Sequence, residues 1–516
     1  MASHSTKTLW PKVSKGFVRR LLEGHKVLGL ALCGILYLIC LTGWIGVYYV
    51  EFERWERPDV PEFLQTTPEA TARAIADMRA VMIADPHRGP LDTGLFVGLP
   101  NEKMPRLVAG YGHEAQAYDA AGALHGPATH DLTHFLTELH YYLHLPESFG
   151  MIIVCLFGVG MMALLFGGAM AHPKMFKDAF TLRPRKEGPL TRSDIHNRLG
   201  TWTLPFGLMV TLTGTMIGLG QLLAMVIGVF AYDGDIIKAY EPLFGSQADI
   251  VAATGGQTLQ GSPAIIKGLQ QVQAAHPDQP LSYLALHNVG TPTETLEITT
   301  RPPNRLVYGE TWRFDAAGNL VGSHNMSDGP IGRQIASSVY SLHFGDFGGP
   351  VVKLAYALFG LLLTVMIAAG MDIWLIKSAA KGRPKPGLHR LWIVLVYGSA
   401  AAIATTLALG ISLGLAPVPV FWSLMVALGL ASVVSMKVSK ADHRAVSRLM
   451  RSLLGLSVLA LPLCHMAVHR SFSTAAVQVN LPLILIGLLI LTVTLWGARR
   501  PASQTANAGK TLKSQD

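Results

Sequence analysis

Eight apolar runs of spanning length punctuate the 516 residues of this chain, at about residues 27–50, 148–171, 198–230, 350–376, 391–413, 417–436, 451–468 and 480–497. Each is close to or above the twenty or so residues that a helix needs to cross a bilayer. A spanning helix satisfies its own backbone N–H and C=O groups, which lipid cannot do. Only 15% of the residues are charged, too few for a soluble enzyme of this length. The fold class expected is an all-α polytopic membrane protein with eight transmembrane helices. No small-x-small cleavage site follows the first run, so it is expected to stay as a helix rather than leave as a signal peptide.

Lysine and arginine set the orientation. They gather in a basic arm at residues 1–26 (Lys7, Lys12, Lys15, Arg19, Arg20, Lys26) and in the loop 172–197 (Lys174, Lys177, Arg183, Arg185, Lys186, Arg192). Further clusters lie in the loop 377–390 (Lys377, Lys381, Arg383, Lys385, Arg390), after the sixth run (Lys437, Lys440, Arg444, Arg448, Arg451) and in the tail 498–516 (Arg499, Arg500). All five fall on one side of an eight-span count. The positive-inside rule makes that side cytoplasmic and puts both termini there. The net charge of +9 is then a topology signal, and no nucleic-acid partner is expected. Residues 51–147 and 231–349 fall outside, as two small α+β segments. Each has a helical pattern, near 68–83 and 262–275, followed by short strands punctuated by Gly and Pro. Residues 391–497 hold the last four spans.

The two outer segments repeat one another. Tyr118-Asp-Ala-Ala-Gly122 in the first matches Phe314-Asp-Ala-Ala-Gly318 in the second, an aromatic strand end followed by a turn. The spans repeat as well. His25-Lys-Val-Leu-Gly29 and His196-Asn-Arg-Leu-Gly200 each precede a Thr-Gly pair, Thr42-Gly43 and Thr213-Gly214, by the same seventeen residues from histidine to threonine. Leu139-His140 and Leu342-His343 each open a span, with Gly167 and Gly370 both twenty-seven residues further on. Spans one and two with their loop are thus one half of an internal duplication and spans three and four the other. Both halves start inside, so their pseudo-symmetry axis runs along the membrane normal.

A single interfacial histidine is more often a snorkelling side chain than a ligand. Four in matched positions, His25 and His196 at the inner face and His140 and His343 at the outer, suit two bis-histidine haems held between facing helices. Gly29, Gly43, Gly200 and Gly214 would allow close approach of a macrocycle, although plain helix packing explains such glycines equally well. Cys33, Cys40, Cys155 and Cys464 form no C-x-x-C-H, so the haem would be the non-covalent b type, two per chain. His144, one turn beyond His140, and His172, at the inner end of span two, are alternative ligands. His389 competes less strongly, and a structural role outweighs a metal site for the pair His465 and His469. The run His125, His130, His134 is irregularly spaced for a metal, and the remaining histidines, His287 and His324 among them, read as surface groups. Asp372 is an acid inside span four that could cap, pair with a base or relay protons.

At these residues the chain resembles the PepSY-associated transmembrane family, bacterial inner-membrane proteins that include iron-regulated members and periplasmic ferric-siderophore reductases. The motifs that carry the likeness are His25-Lys-Val-Leu-Gly-Leu30 with Thr42-Gly43, Leu139-His140-Tyr-Tyr-Leu143, Ile195-His-Asn-Arg-Leu-Gly-Thr-Trp202 with Pro205 and Thr213-Gly214, and Leu342-His-Phe-Gly345 followed by Gly360 and Trp374. They cover about residues 16–380; the four spans after about residue 390 depart from the simplest family pattern. The resemblance implies haem ligation by His25, His140, His196 and His343, PepSY-like folds outside, and a site in the bacterial inner membrane. It also implies electrons drawn from a cytoplasmic reductant or quinol and passed to a ferric siderophore or another periplasmic acceptor. The competing expectation is a non-catalytic assembly or transport-accessory protein whose histidines only anchor helix ends.

Overall fold

In a computed structural model of the chain, the structure describes residues 14–499 except 90–92, 113, 173–188, 236–237, 242–258, 260 and 439–441. Residues 1–13 of the basic arm with Lys7 and Lys12, the cluster from Lys174 to Lys186, Lys440 and the tail from Arg500 lie outside the described residues. Among the described residues eight helices are long and apolar enough to cross a membrane, and they fall on the eight apolar runs. They are α1 (Lys15–Gly46), α5 (Glu147–Ala171), α7 (Leu204–Ala231), α10 (Gly349–Ala380), α11 (Pro386–Leu413), α12 (Pro417–Val438), α13 (His443–His469) and α14 (Thr474–Arg499).

Both outer segments project from one end of the bundle, termed here the sheet end. The first contains α2 (Tyr49–Glu56), α3 (Pro68–Ala84), β1 (Leu95–Gly98), β2 (Leu107–Tyr111), β3 (Glu114–Tyr118), β4 (Leu124–Pro127) and α4 (Asp131–Tyr141). The second contains α8 (Ser262–Ala275), β5 (Leu281–His287), β6 (Thr295–Thr300), β7 (Glu310–Phe314), β8 (Leu320–Ser323) and α9 (Ile331–Phe344). The two are not separate small domains. β1 pairs antiparallel with β5, Phe96 opposite Ala285 and Val97 opposite Leu284, and this joins them into one eight-stranded antiparallel sheet in the order β4-β3-β2-β1-β5-β6-β7-β8. Helices α3 and α8 share one core with it, in which Ile75, Met78, Leu95, Leu107, Leu284, Leu296, Ile298 and Phe314 are fully buried. Each such aliphatic or aromatic side chain contributes roughly 1.5–3 kcal/mol. The repeated turns are equivalent in detail. Asp119 Oδ1 accepts from the N–H of Ala121 and Ala123, and Asp315 Oδ1 from Ala317 and Asn319. Gly122 and Gly318 adopt φ of +75° and +74°, and a Cβ on either would run into a helix carbonyl, of Ala70 or Ala264.

In the bundle α1 packs on α5 and α10, and α5 on α7. The third span is bent: α6 (Pro189–Trp202) ends at Thr203 and α7 begins with Leu204-Pro205, the proline having no N–H to continue the ladder. The last four spans attach on the side of the first half. Tyr37 donates to the Val396 carbonyl at 2.8 Å, α14 packs on α2, and α12 on α4.

Candidate functional site

The site is built from four short stretches of helix, each fixed by its own local chemistry. His140 lies in the last turn of α4, a separate helix ahead of span two. The Glu56 carboxylate accepts from Leu132 N, Thr133 N and Thr133 Oγ1 at 2.8–2.9 Å, placing a negative charge at the positive end of the α4 dipole. His343 lies in the last turn of α9, which stops at Gly345 in the left-handed conformation (φ +68°). Tyr356 of α10 holds that turn by donating to the Leu342 carbonyl at 2.5 Å. Asp346 beyond it is clasped by Lys103 and Arg301, one from each half of the sheet. His25 and His196 sit at the opposite, far end of the bundle, on α1 and α6.

The four histidines meet as two pairs. At the sheet end the rings of His140 and His343 are 6.2 Å apart between centroids, tilted by 33°. At the far end His25 and His196 are 6.4 Å apart at 77°. One rule seats them all. Each ring lies against a glycine of a neighbouring helix: His140 on Gly43, His343 on Gly214, His25 on Gly168 and His196 on Gly370. Each also faces the residue four before that glycine. His140 Nδ1 donates to the Ile39 carbonyl at 2.9 Å, His343 Nδ1 to Val210 at 3.1 Å and His196 Nδ1 to Met366 at 2.9 Å. His25 faces the Leu164 backbone more loosely, without closing a hydrogen bond. Thr42 and Thr213 hydroxyls lie 3.4 and 3.2 Å from the sheet-end Nδ1 atoms. A carbonyl only accepts, so Nδ1 of the three bonded rings carries the proton and Nε2 the lone pair. Burial pulls His140 and His343 down from the usual imidazole value, His343 to about 4 with His140 as second cause, so both are neutral at pH 7.

The equal spacing of histidine and Thr-Gly therefore links the two ends rather than defining one site. His25 belongs to the far-end pair, whereas Thr42-Gly43 on the same helix backs the sheet-end pair; His196 and Thr213-Gly214 divide likewise. The matched glycines Gly167 and Gly370 are out of step by one. Gly370 cradles His196, but the residue that cradles His25 is Gly168, while Gly167 packs near Leu21. Gly29 and Gly200 lie against Leu164 and Met366.

His144 is not a further turn of the His140 helix. It follows Leu143 in the left-handed region (φ +52°), stacks on Phe135 at 5.0 Å and faces Glu138. His172 caps the end of α5 with Nδ1 unbonded. His389 stacks with His443 at 4.4 Å. His465 is fully buried between Trp55 and Asn480 with both nitrogens bonded. Two supposed surface histidines are clustered: His287 and His324 donate from Nε2 to the two oxygens of Glu297 at 3.2 and 3.0 Å. Their hydrogen bonds hold that buried carboxyl at about 2 although desolvation opposes them.

A helical membrane bundle with paired histidines at both ends, beneath one sheet formed from two repeats, defines a multi-pass membrane protein with a sheet domain at one end. The chain belongs to the PepSY-associated TM region family, whose model matches residues 22–377. That match takes in both histidine pairs and the whole sheet and stops before α11. An uncharacterised protein of Pseudomonas aeruginosa is 26% identical over 376 residues, covering 69% of this chain and 93% of its own length.

Proposed function

We propose that this protein is a di-haem b oxidoreductase of the bacterial inner membrane. It carries electrons from the cytoplasmic side to a periplasmic acceptor, a ferric siderophore or another ferric complex, in iron uptake. The observation that carries the reading is the separation within each histidine pair. An imidazole nitrogen sits about 2 Å from a bound metal and about 1.1 Å from its own ring centre, so two rings sharing one iron would have centroids about 6.3 Å apart, and His140 with His343 and His25 with His196 would each hold one haem. The pairs stand at 6.2 and 6.4 Å. The protonated Nδ1 atoms of His140, His343 and His196 leave Nε2 free for iron, and the glycines leave room for the imidazole rings. Haem, when bound, supplies a one-electron couple. Every other contribution is this chain's own: carbonyls fix the tautomer and orientation of His140, His343 and His196, burial keeps His140 and His343 neutral, and the surrounding apolar helices exclude water. Gly43 lies eighteen residues beyond His25 on α1, so the pairs are about 27 Å apart along the helix, close to the thickness of the hydrocarbon core.

The basic residues of the far end, Arg19, Arg20, Lys26, Lys377, Lys381, Arg383, Arg444 and Arg448 among them, support a cytoplasmic far end and cytoplasmic termini. The test is a reduced-minus-oxidised visible spectrum with a haem count on purified full-length protein and on His25→Ala, His196→Ala, His140→Ala and His343→Ala. Two b haems are expected, with one lost in each variant. A colourless protein from haem-replete cells would sink the reading and favour an accessory role.

A further inference from the structure

Arg192 precedes His196 by four residues and so occupies the same face of α6 one turn nearer the far end; Asp372 follows Gly370 by two on α10. Arg192 Nη1 donates to Asp372 Oδ2 at 3.2 Å. This ion pair therefore bridges the same two helices as the contact of His196 with Gly370, about one turn beyond it. The duplication supplies an internal control. The positions equivalent to Arg192 and Asp372, counted from His25 and Gly168, are Leu21 and Met170. In the first half these positions carry two apolar side chains, so the charged pair is particular to the second. A carboxylate within a span is costly and is retained for function, and its partner Arg192 is half exposed, so the pair adds little as a structural tie. The Asp372 side chain keeps 25% of its surface exposed, so a ligand can reach it. Ile195 and Trp202, exposed on α6 on either side of His196, offer an apolar approach. Among the described residues Lys377 on α10 acts on His196, and His389 on α11 lies in the field of Arg192.

We infer that Arg192 and Asp372 form the electron-entry site and that the donor is a hydroquinone carried in the membrane. The inference rests on the haem reading above and names its donor. Asp372 Oδ2 takes the proton of a hydroquinone hydroxyl, and Arg192 holds the carboxylate toward the ring. Both O–H bonds of the donor break. Its two protons leave one at a time through Asp372 to water at the far end, and its two electrons pass singly to the His25–His196 site. The ring becomes a quinone, while at the sheet end two ferric ions are each reduced to ferrous. A base within reach of the first electron carrier is what this reaction needs, because proton removal and electron removal are coupled.

The experiment uses the full-length haem-loaded protein in detergent, mixed anaerobically with tetramethylhydroquinone while haem reduction is followed by absorbance. Dithionite, which delivers electrons with no proton to be removed, is the control. Asp372→Asn is expected to slow reduction by hydroquinone about a hundredfold, the scale of a lost general base, with haem content, spectrum and dithionite reduction unchanged. Asp372→Glu is expected to recover most of the rate. Wild-type rates in Asp372→Asn would overturn the inference, as would an unmodified two-haem protein that hydroquinone does not reduce. Loss of haem in Asp372→Asn would overturn it too, by assigning the pair to cofactor retention. Absence of haem from the unmodified protein would instead refute the reading on which the inference rests.

Discussion

Adding one methyl at each of the four cradling glycines tests whether the histidine seats are ligand seats, because the room differs at the two ends. A Cβ on Gly43 would stand 2.6 Å from Cε1 and 3.1 Å from Nδ1 of His140, and one on Gly214 would stand 2.6 and 3.2 Å from the same atoms of His343. Carbon atoms rest at about 3.5–4.0 Å, so each sheet-end ring must retreat by about 1 Å. A bound metal tolerates about half that displacement, and the retreat also strains the Nδ1 bond to Ile39 or Val210, worth about 1 kcal/mol. At the far end the Cβ distances are 3.2 Å for Gly168 to His25 and 3.3 Å for Gly370 to His196, which a shift of a few tenths of an ångström relieves. Gly43→Ala and Gly214→Ala should therefore fall to about one haem per chain, whereas Gly168→Ala and Gly370→Ala should keep two, with a shifted far-end potential. The assay is haem per chain with a redox titration of the spectrum. Two haems with unaltered spectra in both sheet-end variants would refute the reasoning, and so would equal loss in all four.

Two further predictions concern parts remote from the pairs. His465→Ala leaves the Trp55 carbonyl and Asn480 without their buried partner, at about 1–3 kcal/mol for each unsatisfied group; a lower melting temperature with both haems retained is expected, and haem loss without destabilisation would count against a structural role. Glu297 has a folded value of about 2 against an ordinary 4.5. A depressed carboxyl contributes stability that is fully present above the unfolded value and is lost as pH falls through the folded one, here between about 4.5 and 2, on the order of 3 kcal/mol in total. Glu297→Gln should abolish that acid-dependent part of the sheet's stability, measured as thermal unfolding across this range, and an unchanged acid profile would show that the His287 and His324 contacts carry no net stabilisation.

What was legible in the sequence is what has a short period or a repeated spacing. Eight apolar stretches reveal themselves by length, and the Asp-Ala-Ala-Gly turns by the residues their dihedrals require. The four histidines stood out because the duplication repeats them. The joining of the two outer segments was not legible: β1 meets β5 nearly two hundred residues away, and strands of four and seven residues carry no mark of their partner. The cluster at Glu297 was hidden for the same reason, since His287, Glu297 and His324 come from separate strands and a following loop. Gly168 was missed in favour of Gly167 because α4 and α5 are separate helices joined by an irregular turn, so a count from His140 carries no fixed rotation into α5.

The division of labour along each helix explains why an identical count recurs in α1 and in α6 with α7. Histidine and Thr-Gly pair are seventeen residues apart, about 25 Å along a helix, too far to serve one site. They serve opposite ends, and α1 is then a ruler: its N-terminal part presents a ring to the far-end pair and its C-terminal part a carbonyl, a hydroxyl and a bare glycine surface to the sheet-end pair. One residue more or less would turn one end by 100° relative to the other, swinging Ile39 and Gly43 away from His140 while His25 stayed in place. Pro205 bends the second copy between His196 and Thr213, yet the count survives, because the kink redirects the axis without adding a residue. The two halves keep the ruler, and the second places the Arg192–Asp372 ion pair where the first has Leu21 and Met170. On the proposed reading this is where the two ends would differ in chemistry, the far end taking up an electron with release of a proton and the sheet end handing the electron on alone.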